Sequence, residues 1–329
     1  MTKKTILITG VGGAAGRYLI QMAQKNDFQV VAVDANPKAY GLLFGDVNIV
    51  VPDSSQSNFL PRIQEICSNF AVDFIYPLID EEIIPLKSLE SDVLKVICPN
   101  IKFVETAIDK YRLMKELSRN EIDVPKTFLL GDNLDEVEFP AIIKPRSGRG
   151  SRGIRIIENE DDLKEALEIL EGSYDQYIIQ SLIQGNEYTI SVVANSRCEF
   201  LAVVSKKIID KKGITRFAVV EKNDVLWQLG IDLVKKFKLD NPVNVQLIIN
   251  KIDSKPYIFE INPRFSTTVS LTIEAGVNEF LAPLDVFLGT TYGDYTEIKE
   301  NLVMLRGTLE EYIDLNVYDD LTNRIVSYK

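Results

Sequence analysis

The sequence predicts an α/β domain built on a parallel, doubly wound sheet, followed by an α+β part that ends rich in antiparallel strands. Two observations carry this. Over the first hundred residues, short apolar β-type runs alternate with segments of helical spacing, which is the rhythm of βαβ units. Past residue 185, strand-like runs follow one another closely, with few helices between them. A chain of 329 residues, 46% hydrophobic and 26% charged, has apolar content for two or three cores.

The elements follow in order. Strands are expected over 5–9, 29–34, 48–51, 74–77 and 93–97, with helices over 14–26, 59–69 and 81–90. From Asp109 the texture changes: a helix over 110–120 leads to short strands at 126–130 and 141–144. An Arg/Gly-rich loop, a strand at 154–157, a helix over 161–171 and a strand over 176–180 complete this middle part. The rest reads as strands at 187–194, 200–206, 215–220, 243–252 and 257–262, with helices at 225–238, 270–275 and 279–288. These textures divide the chain into 1–108, 109–184 and 185–329, with no internal repeat.

Composition narrows the chemistry. There is no histidine, so Ser–His or Cys–His nucleophiles, imidazole bases and His-bound zinc are excluded. Catalysis must rest on carboxylates, Lys/Arg, hydroxyls, backbone amides or a hard cation held by oxygen. With 37 basic and 48 acidic side chains the net charge is −11, which disfavours nucleic acid and anionic lipid as partners. No apolar run approaches the ~20 residues of a membrane helix, and the first ten residues lack a signal-peptide pattern. Cys67, Cys98 and Cys198 are odd in number and far apart, which fits a reducing cytoplasm.

Three motifs stand out. Gly10, Gly12, Gly13 and Gly16 form a strand-to-helix turn with Asp34 ending the next strand, as in dinucleotide sites, and Tyr111 and Lys115 supply a Tyr-x-x-x-Lys pair. Such a turn is also ordinary α/β geometry, and the structural reading takes precedence over a nicotinamide-dependent reductase. Lys144 ends a strand and leads through Arg146, Ser147, Gly148, Gly150, Ser151 and Gly153 into another strand. A P-loop is excluded because no helix follows, whereas a lid of backbone N–H groups and cations suits a triphosphate. The last motif is Gln246 with Glu260, Asn262 and Arg264. Val243, Val245, Leu247 and Ile249 alternate, leaving Gln246 on the opposite face. Tyr257, Phe259 and Ile261 likewise set Glu260 and Asn262 apart, so three oxygen donors converge on one face, as Mg²⁺ beside phosphates requires. An antiparallel pair puts Gln246 opposite Glu260 or Asn262 only if the turn near 252–255 holds an odd number of residues or a bulge intervenes.

Together these segments resemble the ATP-grasp superfamily, most closely its carbamoyl phosphate synthetase-like branch, over nearly the whole chain. The resemblance implies an ATP-grasp fold behind a Rossmann-like domain, with ATP and Mg²⁺ (or Mn²⁺) as cofactors. It implies phosphate or base contacts from Lys110 and Lys144, and a lid from Arg146 to Gly153. Gln180, Ser181, Leu182 and Ile183 match the adenine hinge, with Gln180 in place of the usual glutamate, and Glu187 matches the ribose carboxylate. Gln246, Glu260 and Asn262 match the metal triad, and Arg264 the arginine that steadies the transferred phosphate.

The expected function is an ATP-dependent ligase joining a small-molecule carboxylate to an amine or thiol through an acyl phosphate. One module instead of two argues against carbamoyl phosphate itself as the product. Asp80, Glu81 and Arg306 are candidate substrate contacts, Thr267 and Thr268 candidate acceptor-site residues, and a homodimer the default assembly. A non-catalytic ATP-binding regulator is the alternative in another class; the metal and arginine positions argue against it.

Overall fold

The computed structural model describes residues 3–148, 153–290, 295, 297–308 and 310–316. Its first layer comprises β1 (Thr5–Thr9), α1 (Gly16–Lys25), β2 (Gln29–Asp34), β3 (Val47–Val50), α2 (Phe59–Asn69), β4 (Phe74–Tyr76), α3 (Asp80–Lys87) and β5 (Lys95–Val96). All neighbouring strands are parallel, in the order β3-β2-β1-β4-β5. Every residue of β1 is buried, as a strand covered on both faces must be. Ile6 and Ile8 enter one core and Leu7 the other, the period-two signature of a strand. The strand order reverses between β1 and β4, the switch point at which open α/β sheets bind ligands. Gly10 leaves β1 there with φ +62°, and a Cβ on it would lie 2.6 Å from Ile79 Cγ1.

Two helices follow, α4 (Ile101–Ala107) and α5 (Lys110–Arg119). The first has no counterpart in the sequence reading; Asn100 starts it by accepting from Phe103 N at 3.0 Å. The second sheet is antiparallel, formed by β6 (Thr127–Leu129), β7 (Ala141–Pro145), β8 (Arg155–Ile157) and β9 (Tyr177–Ser181) in the order β6-β9-β7-β8. It packs on α6 (Glu160–Ile169) through Ala166.

The third sheet holds β10 (Gly185–Ala194), β11 (Phe200–Lys212), β12 (Ile214–Val220), β13 (Val243–Asn250), β14 (Pro256–Asn262) and β15 (Val303–Leu305). Its order is β14-β13-β10-β11-β12-β15, and all its pairs are antiparallel. One face buries Ile190, Val192, Val243, Val245 and Leu247 in a core shared with α5 and α7 (Asp224–Phe237). Next come α8 (Val269–Glu274) and α9 (Leu284–Leu288). The helix expected over 279–288 survives only as α9, because Pro283 has no N–H and its ring excludes a preceding helical turn.

The segment around α8 and α9 turns Phe265, Phe280 and Leu284 onto Ile6, Ile8 and Tyr76 of the first sheet. Tyr76 lies 4.3 Å from the Phe280 ring and donates its hydroxyl to Phe280 O at 2.9 Å. The first and third sheets therefore share a core, which fixes the cavity between them. Among the described residues, no helix is long and apolar enough to cross a membrane.

Candidate active site

A cavity of about 870 Å³ opens where the three sheets meet. The β1–α1 turn walls one end, β9 and Lys144 another, and the polar face of β13 and β14 forms the floor. That volume is at the upper end of small-molecule pockets.

The floor depends on one irregularity. The turn of β13 and β14 opposes Ile249 to Pro256 and Leu247 to Ile258, a register that would aim Gln246 away from Glu260. A bulge between Gln246 and Leu247 then shifts the pairing, so Gln246 opposes Glu260 and Asn244 opposes Asn262. The sequence requirement of an odd turn or a bulge is met by the bulge. It also corrects the strict alternation expected along β14: Ile258 and Ile261 enter the core, while Phe259 turns with Glu260 into the cavity. Asn244, which the sequence reading does not single out, lies on the same face and accepts from Thr189 Oγ1 at 2.5 Å. Its signal is its place two residues before Gln246.

Two lysines serve this floor. Lys144, at the end of β7, is 6% exposed and donates from Nζ to Phe259 O at 3.2 Å. Burial lowers its pKa to about 8; Glu260 opposes the shift, and Lys110 and Lys211 add to it. Lys211, on β11, donates to Glu187 Oε1 at 2.6 Å and to Gln246 Oε1 at 3.3 Å. Sequence pattern gives no signal for Lys211, because β11 meets β12 through register shifts around Asp210.

Along β9, Gln180 is buried and its Nε2 donates to Thr127 Oγ1 at 2.8 Å, which leaves Oε1 as the acceptor for the cavity. Ser181 Oγ is buried with no hydrogen-bond partner, and Leu182, Ile183 and Glu187 complete this wall. Gly150 and Ser151 lie outside the described residues. Gly153 is described, but neither it, Ser147 nor Gly148 lines the cavity.

Four of the candidate residues take partners within the protein. Arg146 does not face the cavity; its Nη2 pairs with Asp109 Oδ2 at 2.7 Å, at the N-cap of α5. Burial would raise the Asp109 carboxyl, but bonds from Arg146 outweigh it and hold the group low. Lys110 is likewise turned aside and donates to Gly148 O at 2.7 Å, tying α5 to the start of the lid. Asp80 also stands outside the cavity wall and meets Arg264 instead, with Nε–Oδ1 at 2.9 Å and Nη2 donating to Oδ2 at 3.0 Å. Glu81 is exposed on α3 away from the cavity. Arg306 directs its guanidinium to backbone oxygens, Thr215 O at 2.8 Å and Thr267 O at 2.5 Å, rather than to the cavity. Of the Thr pair, Thr267 lines the cavity and Thr268 is buried.

The glycine turn lines the far end, yet Asp34 Oδ2 already accepts from Gly12 N at 2.7 Å. Tyr111 bonds Asp132 on the outside of α5 with Lys115 over its ring, and neither lines the cavity. The reductase pair therefore does not meet the glycine turn.

Models of the ATP-grasp domain and of the PylC-like N-terminal domain match residues 107–268 and 6–101. The chain carries an ATP-grasp domain. It is 26% identical to carbamoyl-phosphate synthase of Methanobrevibacter smithii, over 81% of this chain and 76% of that protein. It is 25% identical to the carbamoyl phosphate synthase large chain of Pyrococcus furiosus, over 58% of this chain but only 20% of that one. Carboxyaminoimidazole ribonucleotide synthase of Aspergillus clavatus, solved with ATP, superposes with a TM-score of 0.76 at 18% identity, covering 92% and 81% of the two chains.

An ATP-grasp site needs a divalent cation, and the donor set fits one. Among the described residues no three His, Cys, Asp or Glu side chains gather; the set Gln246, Glu260 and Asn262 lining the cavity brings one carboxylate and two amide oxygens. One carboxylate suits Mg²⁺ that arrives with phosphates rather than a cation caged by protein alone. The ammonium of Lys211 against Gln246 Oε1 marks the same place as favourable to positive charge.

Proposed function

We propose that this ATP-grasp protein is a carboxylate–amine ligase of the carbamoyl phosphate synthetase-like branch, acting on small molecules through an acyl phosphate. One observation carries the reading: the bulge in β14 sets Glu260 opposite Gln246, on a cavity floor beside the buried ammonium of Lys144.

In this reading Gln180 Oε1 accepts from the adenine amino group, and Glu187 exchanges Lys211 for the ribose hydroxyls. Glu260, Asn262 and Gln246 hold Mg²⁺, which neutralises phosphate charge when bound. Lys144 places a cation at the phosphates where water is scarce. A substrate carboxylate oxygen attacks the γ-phosphorus, the bond to the ADP oxygen breaks, and that oxygen keeps the electron pair. Arg264 neutralises charge on the transferred group. The amine then attacks the acyl carbon, phosphate leaves, and the amine proton passes to it, so no histidine is needed. The acceptor end of the cavity is the switch point of the first sheet, where Gly10, Leu78 and Ile79 line the wall.

The test is ADP release from Mg-ATP across a matrix of carboxylates against amines, with bicarbonate and ammonia included, each hit repeated in Glu260→Gln. Release that requires both partners and disappears in the variant supports the ligase. Stabilisation by Mg-ATP with no turnover in any combination overturns it.

A further inference from the structure

We infer that Asp80 is a positioning residue for Arg264, a role that rests on the proposed phosphoryl transfer. Asp80 opens α3 in the first domain, and Arg264 lies 184 residues away, just past β14. Ile79 and Arg264 both line the cavity, whereas Asp80 does not. The carboxylate thus stands behind the arginine rather than on the cavity wall.

The contacts fix the plane of the guanidinium. Asp80 Oδ1 lies 2.9 Å from Nε, Oδ2 accepts from Nη2 at 3.0 Å, and Phe265 O accepts from Nη1 at 3.1 Å. The Asp80 and Arg264 side chains are only 15% and 14% exposed. A guanidinium has five N–H donors in a rigid fork; here Nη2 donates to Asp80 Oδ2 and Nη1 to Phe265 O, while Nε, close to Oδ1, makes no hydrogen bond, so the ion pair and these two bonds set its plane.

The pair also limits how far the arginine moves onto Asn262. Nη2 already donates a long bond of 3.5 Å to Asn262 Oδ1, so Asn262 is the acceptor that takes over once Asp80 is removed. A guanidinium relaxed onto Asn262 occupies a metal ligand and leaves the phosphoryl position. Asp80 therefore acts through Arg264, and its loss is felt when a phosphoryl group is in transfer rather than when ADP alone is bound.

A transition-state mimic tests this without the natural substrates. Dissociation constants are measured for Mg-ADP alone and for Mg-ADP with aluminium fluoride, which imitates the group in transfer. The wild type is expected to bind tighter with aluminium fluoride. Asp80→Asn is expected to keep its Mg-ADP constant within about twofold, which also reports that the site is folded, and to lose at least about tenfold of the tightening. Asp80→Glu is expected to restore most of it, and Asp80→Asn with Arg264→Ala to lose no more than Arg264→Ala alone. Full tightening in Asp80→Asn, or losses that multiply in the double variant, overturns the inference and leaves the ligase reading standing. Undiminished tightening in Arg264→Ala overturns the inference through the arginine. A wild type with no tightening fails the phosphoryl-transfer reading itself and takes the inference with it.

Discussion

In its proposed place at the phosphates, Lys144 should make nucleotide binding pH-dependent with a definite sign. Burial lowers its pKa to about 8 in the ligand-free site, against a reference of 10.5. The facing charges are Glu260, which raises it, and Lys110 and Lys211, which lower it. Phosphates brought against the ammonium favour the charged form, so the bound-state pKa rises and a proton is taken up on binding. With a pKa near 8, about nine-tenths of the free protein carries the charge at pH 7 and about one-tenth at pH 9. The dissociation constant for Mg-ADP should therefore rise about tenfold between these values, or ~1.4 kcal/mol. Calorimetry at pH 9 in two buffers of different ionisation heat should report uptake of about 0.9 proton. Lys144→Arg keeps a charge that does not titrate, and its affinity should be flat over the range. A flat profile in the wild type, or the same slope in Lys144→Arg, would refute the reasoning.

Glu260→Gln removes the only carboxylate of the proposed metal set and should cut substrate-dependent ADP release by about 10²–10³-fold, with circular dichroism unchanged. Lys211→Met frees Glu187 from an ion pair whose members are about one-third exposed, so adenosine should bind a few-fold tighter, as equilibrium dialysis can measure. The buried network of Lys206, Ser191, Thr272 and Glu279 is a matter of stability. Lys206 Nζ donates to Ser191 Oγ at 2.7 Å and to Thr272 Oγ1 at 2.6 Å, and Ser191 Oγ donates to Glu279 Oε1 at 2.8 Å. Lys206→Met leaves a buried carboxylate without its cation and should cost ~3–5 kcal/mol in urea unfolding, most of it recovered when Glu279→Gln is added. Additive losses would contradict that account.

Much of the fold is legible because it follows from local periodicity. Continuous apolar runs such as 29–34 must be covered on both faces, which leads to a parallel sheet with helices around it. Alternation along β13 turns Gln246 away from Val245 and Leu247 whatever the partner strand does. Length defeats shorter signals: α4 has seven residues, too few for a period to emerge, whereas the strand expected over 93–97 is present but shortened to the two residues of β5.

The sequence by itself determined that oxygen donors stand on one face of a strand pair, that a lysine ends the strand before a glycine-rich loop, and that no imidazole takes part. Only the tertiary structure decided which of those groups meet. A bulge at Phe259, invisible to strict alternation, brings Glu260 opposite Gln246. Arg146 turns to Asp109, Lys110 to the lid backbone and Asp80 to Arg264, because a buried charge takes the nearest opposite charge or carbonyl, however distant in the chain. Periodicity acts within a few residues, whereas register shifts and charge partners depend on strands and domains that meet only when the chain has folded.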